Sequence, residues 1–323
     1  METADRYRAF AEVEAAGSSA IYQRTALAVA GDRSAIERLD ALPPAKRQPN
    51  LLFATLQFLG GPMGDPEETL AYIRDRWDDI SAVMSVRSTQ TNEAARTATF
   101  LPIVAAVDGP VALIEVVASA GLCLFPDRYR IRYDERTPVG PDNSPVTIEV
   151  QTHGPVPIPG HEPDVIRRIG IDLHVLDATN KEDLAWLAAC IWPEHHERRR
   201  RLFAAAEVAA QDPPEKIEGD LVETIDDVLA AIPDGVTPVV LHSAVLNYIC
   251  PHRRAAFAER IAAHPQALWI SNEGPGVIES LTTTLLPPPT APNIAHFVVG
   301  IGGTRAVGIS DPHGSWLVWQ AER

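Results

Sequence analysis

Through the first hundred positions apolar residues recur at three- and four-residue steps, and almost nowhere do they alternate one by one. The segments "RYRAFAEVEA", "SAIYQRTALAVAG", "NLLFATLQFLGG", "DPEETLAYIRDRWDDISAVMSV" and "NEAARTATFLPIVAAV" each lay such a stripe along one side, which predicts helices. The fourth opens on Asp65, Pro66 and Glu68: a capping carboxylate, a proline at the first helical position, and an acid near the positive end of the helix dipole. No strand pattern interrupts, so residues 1–107 are expected to form an all-helical N-terminal cap.

After Asp108-Gly109-Pro110 the pattern changes. Short apolar runs ("VALIEVVA", "VTIEVQ", "EKIEGD", "TPVVLHSAV", "ALWISNEG", "HFVVGIGG" and "RAVGISD") alternate with amphipathic segments such as "KEDLAWLAACIW", "ERRRRLFAAAEVAA" and "PHRRAAFAERIAAH". Strand–helix alternation predicts an α/β domain over residues 108–323, with seven strands in a mostly parallel sheet. The last two runs have no helix between them, which predicts antiparallel strands at the sheet's edge.

Composition narrows the partners. The chain has 323 residues, 46% hydrophobic and 22% charged, as in folded globular proteins. Its net charge of −15 repels phosphate backbones and anionic lipid, so neither nucleic acid nor membrane is an expected partner. The one basic run, "ERRRR" at Glu197–Arg201, reads as a solvated helix face. Cys123, Cys190 and Cys250 have no paired spacing and point to reduced thiols. With no secretory or transit pattern at the N-terminus, the expected location is cytoplasmic. Histidines and acids lack ligand spacing, so no metal is expected. Oligomeric state stays open, a homodimer among the options.

In open α/β sheets, ligands sit beyond the carboxyl ends of the strands where the strand order reverses. The first strand and turn of this sheet, "ALIEVVASAGLCL", is read as leading into a helix and is therefore the default cofactor loop. Proteins that bind S-adenosylmethionine in such a loop carry an acid at the end of strand one and then glycines at alternating positions. On this chain the acid is Glu115, and the glycine positions fall on Val117, Ser119 and Gly121, of which only the last is glycine. Ala118 and Ser119 are small enough for a ligand to approach the backbone, and Gly121 accepts a positive φ. The β-branched Val117 resists one. Glu149 in "VTIEVQ" and Asp220 in "IEGD" stand where acids would bind ribose and flank adenine, with Asp172 or Asp177 of "GIDLHVLD" as alternatives to Glu149. "LHSAVLNYI" puts His242 and Ser243 where the fourth strand opens into the cleft, His242 as a candidate general base and Ser243 as a cofactor contact. Tyr248 and Glu273 complete the acceptor rim. "TNE" (Thr91, Asn92, Glu93) reads as the cap of the helix before strand one.

Seven ordered blocks, among them "GSSAIYQRTALAVAGD", "TQTNEAARTATFLPIVAAV", "ALIEVVASAGLCLFPDRYRIRY", "GIDLHVLDATNKEDLAWLAACIWPE" and "WISNEGPGV", resemble the bacterial domain-of-unknown-function 2332 family across nearly the whole chain. The C-terminal half of that family is similar to class I methyltransferases. The resemblance therefore implies a Rossmann-like, methyltransferase-type sheet with an antiparallel last strand, S-adenosylmethionine as cofactor and a small-molecule substrate. Where the family has glycine within "EVGASAGL", this chain has Val117.

Two other readings stay open. The scaffold has lost catalysis and serves as a binding protein, its helical half a partner surface. Alternatively "VASAG" is a variant nucleophile elbow, with Ser119 as nucleophile, Glu273 or Asp220 as acid and His313 as base.

Overall fold

The computed structural model describes residues 2–291 and 295–320. Six helices come first: α1 (Thr3–Ala9), which runs into a π-helical turn at Phe10–Ala15, then α2 (Ala20–Gly31), α3 (Arg33–Asp40), α4 (Pro49–Phe58), α5 (Pro66–Asp75) and α6 (Trp77–Val86). Next are α7 (Thr97–Val104), β1 (Val111–Val116), β2 (Arg130–Tyr133), β3 (Thr147–His153) and β4 (Val165–Asp172). Then come α8 (Lys181–Ala189), α9 (His196–Gln211), β5 (Glu215–Glu218), α10 (Leu221–Ala230), β6 (Thr237–Ser243) and α11 (Pro251–Ala262). The chain closes on β7 (Leu268–Glu273), β8 (Phe297–Ile301), β9 (Arg305–Ser310) and β10 (Trp316–Trp319). None of the described helices is long and apolar enough to cross a membrane.

The chain divides into two compact units, Met1–Thr91 with Asn180–Leu202, and Asn92–Thr179 with Phe203–Arg323. In the first, every described regular element is helical. The Asp65 carboxylate accepts from the amides of Glu67 (2.8 Å) and Glu68 (3.1 Å), as the capping pattern requires. The long helix expected from Asp65 onward is instead two: Arg76 leaves helical geometry (φ −118°), and Asp78 and Asp79 supply the first-turn acids of α6. Tyr22 packs on Phe53 (ring centroids 4.7 Å) and on Trp192 (5.3 Å). The Gln57 side-chain amide donates to Tyr22 Oη and to the carbonyls of Ala189 and Ile191, tying the late segment into the helical core.

The second unit holds a mixed, mostly parallel sheet of ten strands in the order β2-β3-β10-β9-β8-β7-β6-β1-β4-β5. It is larger than the seven strands expected. β1 pairs in parallel with both β4 and β6, and β5 and β7 continue the parallel block on either side. β8, β9 and β10 are antiparallel in succession, but they are interior strands, because β3 and β2 extend the sheet beyond β10. α7, read from the sequence as part of the cap, falls in this unit. One face of the central strands is covered by an apolar cluster that joins Ile114, Val116 and Val240 to Ile225 and Leu229 of α10 and Phe257 and Ile261 of α11.

The strands beside β1 are β4 and β6, not β3. β3 lies near the opposite edge, with five strands between it and β1. The expectation that "VTIEVQ" is the second strand of the parallel block is thereby corrected, and the acid ending β4 is Asp172.

Candidate functional site

Because side chains alternate across a strand, the register sorts the strand-end residues onto two faces. Glu115 is level with Gly170 on β4 and Leu241 on β6, while His242 is level with Ser271 and Ser243 with Asn272 on β7. Glu115, Asp172, Ser243 and Asn272 therefore share one face. His242 and Glu273 belong to the other, with Trp269 and the α10–α11 cluster. The strand order reverses at β1, the place where open α/β sheets leave a crevice at the strands' carboxyl ends.

The turn after β1 has an unusual backbone. Val117 (φ 56°), Ser119 (φ 54°) and Gly121 (φ 71°) are all left-handed. Those are the three positions at which the glycine pattern falls. For a β-branched residue this conformation costs roughly 1–2 kcal/mol. Val117 is 39% exposed, so side-chain burial does little to offset it. The shape is held from outside. Asp172 Oδ2 accepts from the Ser119 amide (2.7 Å) and its Oδ1 from the His174 amide (2.9 Å). Asn92 Oδ1 accepts from the Leu122 amide (3.0 Å), so Asn92 braces this loop, while Glu93 caps the short turn Ala94–Arg96. Gly170 lets the loop lie close, since a Cβ there would stand 3.0 Å from that of Ala118.

The helix expected after this loop is absent. Leu122–Leu124 form a single 3-10 turn. Leu122, Cys123, Leu124 and Phe125 are all buried, leaving no solvent face for an amphipathic helix, and Pro126 follows.

Glu115 stands beneath the loop, 8% exposed, and its Oε2 is buried with no hydrogen-bond partner. Burial pushes its carboxyl up to about 8, against the lowering influence of a Cys123 hydrogen bond and the Arg96 charge, and Asp172 adds to the rise. Cys123 Sγ lies 3.5 Å from the Glu93 carbonyl oxygen, and burial raises its thiol as well. Arg96, also buried, donates from Nε to the Pro312 carbonyl (2.8 Å) and from a terminal nitrogen to that of Ser243 (3.2 Å). A polar row continues across the sheet: Ser310 Oγ donates to Asn272 Oδ1 (2.9 Å), and Asn272 Nδ2 donates to Ser243 Oγ (3.2 Å). Burying so many polar groups is costly unless each finds a partner, and the orphaned Glu115 oxygen is the conspicuous exception in this row.

The opposite face is closed. His242 is fully buried, with Nε2 accepting from Trp269 Nε1 (2.9 Å). An indole N–H only donates, so Nε2 carries no proton and Nδ1–H donates to Glu273 Oε1 (2.7 Å). Glu273 also accepts from the amides of Val245 and Leu246, holding a turn in which Ala244 is left-handed (φ 59°). Both ring nitrogens of His242 are committed inside the protein, so the reading of His242 as a general base at the rim is corrected. Glu273 is likewise a buried brace. Tyr248 is 83% exposed and encloses nothing.

Glu149 is exposed on β3, where it pairs with Arg132. Asp220, beyond the end of β5, caps α10 through the Val222 amide (2.8 Å) and pairs with Arg253. Asp177 accepts from Thr179 and pairs with Lys216 (3.1 Å). Both acids named for a Ser119 hydrolase, Glu273 and Asp220, are thus engaged with other groups. Arg96 and Ser310 were not singled out as site residues by sequence. Alternation in "VVLHS" and "WISNE" was the signal that could have set Ser243 and Asn272 apart from His242 and Glu273. Among the described residues, no group of three or more His, Cys, Asp or Glu side chains is arranged to hold a metal ion.

Among curated proteins, none matches the chain. A family model described as "Uncharacterized protein conserved in bacteria (DUF2332)" matches residues 4–319. With that match running over almost every residue, from α1 through the last strand, the chain belongs to this bacterial family.

Proposed function

We propose that this protein is a methyltransferase-like enzyme that binds S-adenosylmethionine at the carboxyl ends of β1 and β4, in a Rossmann-like crevice, and acts on a small molecule. The observation that carries this reading is the left-handed backbone at Val117, Ser119 and Gly121. Two glycines of the alternating pattern are replaced, yet the backbone shape that pattern serves is present at all three positions. The reversal of strand order at β1 supports the same location.

The residues present suit that cofactor. The orphaned, buried oxygen of Glu115 offers a partner to a cationic head group. Asp172 accepts one amide on each oxygen, and a carboxylate has about four lone-pair sites, leaving capacity for ribose hydroxyls. Asp220 and Ser243 lie at the ends of the flanking strands. Glu149 has no part in this site. When bound, S-adenosylmethionine supplies an electrophilic methyl group. The chain's own contribution is orientation and exclusion of water, since transfer depends on close in-line approach. His242, committed on the other face, moves no proton. The acidic chain favours an uncharged or cationic acceptor over an anionic one.

One observation favours a second reading, a methyltransferase-like scaffold that binds without catalysis: the loop enters a short 3-10 turn rather than a helix. Calorimetry with S-adenosylmethionine and S-adenosylhomocysteine tests the shared premise. Binding by the native chain, weakened by about 1–3 kcal/mol in Asp172→Asn through a lost charged hydrogen bond, is the expected result. No binding of either ligand would remove the cofactor reading altogether.

A further inference from the structure

Glu115 is the buried acid of this site whose carboxyl is only half engaged. Its carboxyl has one oxygen supported by Cys123 and one with nothing. An ionised carboxylate in that position would carry charge on an atom that neither water nor a donor reaches, which is strongly unfavourable. Arg96 does not cancel it by contact, because Nε and one terminal nitrogen of its guanidinium are hydrogen-bonded to the carbonyls of Pro312 and Ser243. The other groups that face or influence Glu115 are Cys123 on the 3-10 turn, Asp172 on β4 and Tyr129 ahead of β2, with Glu93 behind Cys123. β6 contributes Leu241 at the same level, and His242 points to the far side of the sheet. None of these supplies a fixed positive charge to Oε2.

Resting on the cofactor reading above, we propose that Glu115 carries a proton in the ligand-free protein and gives it up when a ligand's ammonium group enters opposite Oε2. The step balances simply. The neutral carboxyl and the ligand cation become a carboxylate–cation pair, and one proton leaves to solvent. Glu115 keeps 8% of its surface exposed, and the proposal requires a turn of the carboxyl about its last torsion, which is broad and soft. The upward displacement of this carboxyl to about 8 places the event in the neutral range. Affinity for a cationic ligand is then proton-linked, tightening as pH rises and levelling once Glu115 is already ionised.

The experiment is calorimetry of S-adenosylhomocysteine, which bears the ammonium, in two buffers of small and large ionisation enthalpy. At pH 6.5–7 the native protein should release close to one proton per ligand bound. Its affinity should rise roughly tenfold per pH unit below the carboxyl's midpoint. Glu115→Gln should bind with no proton release and no such pH dependence. Cys123→Ala leaves the backbone amide of Cys123 and the unpartnered Oε2 in place, so it should keep the proton release. Binding by the native protein without proton release, or with the same release in Glu115→Gln, would overturn the coupling and leave the cofactor site standing. No binding at any pH would overturn the cofactor reading, and this inference with it.

Discussion

After β1 the chain passes through left-handed residues at Val117 and Ser119 and is held by the Asp172 carboxylate of the neighbouring β4. After β6 it passes through left-handed Ala244 and is held by the Glu273 carboxylate of the neighbouring β7. The device is the same: a strand-end acid from next door takes the amides of a strained turn. The finish differs. At β6 the acid is joined to His242 and Trp269, and both ring nitrogens and both carboxylate oxygens have partners within the fold. At β1 a second acid, Glu115, lies beneath the turn with one oxygen unpartnered, and a strained valine faces solvent. A chain that can complete such a network on one strand and leaves it open on the next has placed its candidate site at the open one. Locally unfavourable choices tend to concentrate at functional positions.

That contrast breaks most visibly at Glu273. Glu273→Ala strands the buried amides of Val245 and Leu246 and the Nδ1–H of His242, so the variant should lose about 3–5 kcal/mol of unfolding free energy. Urea denaturation measures it. A loss below about 1 kcal/mol would mean that the β6 turn does not depend on its brace.

Glu115 should behave in the opposite way. Its folded carboxyl lies near 8 against an ordinary value of 4.5, so between those values the folded state holds a proton that the unfolded chain has lost. The contribution is fully present below the unfolded value and is lost as pH rises toward the folded one. Stability should therefore fall across that window, with a slope approaching ~1.4 kcal/mol per pH unit from this group. Glu115→Gln should remove that component and be the more stable protein at pH 8. Parallel pH–stability curves for the two proteins would refute a raised carboxyl.

Much of this arrangement was readable in advance. The three- and four-residue periodicity marked the helical unit, and "ALIEVVASAGL" marked β1, its terminal acid and the alternating positions of the turn. The neighbour of β1 was harder, because "VIRRIG" sets Arg167 and Arg168 in the middle of a strand. Their partners are distant: Glu215 on β5 for Arg167, and Asp127 for Arg168. His242 looked like a base for a similar reason. Its two partners, Trp269 and Glu273, lie on another strand, and only the register puts all three on one face. Local pattern carries the strand, but which partner silences a titratable side chain is a property of the sheet.

The smallest effect concerns the strain at Val117. Relief of a left-handed β-branched residue, about 1–2 kcal/mol, is partly offset by the added backbone entropy of glycine, about 0.5–1 kcal/mol. Val117→Gly should thus gain roughly 0.5–1 kcal/mol of stability in thermal or urea unfolding. A clear loss would show that the valine side chain contributes contacts that outweigh its conformation.

The contrast between the two turns is tested most directly by amide hydrogen exchange with and without saturating S-adenosylhomocysteine. The account predicts new protection at Ala118–Leu122 and around Asp172–His174, with Ala244–Leu246 unchanged because that turn is already complete. Protection confined to Ala244–Leu246, or none at the turn after β1, would contradict it.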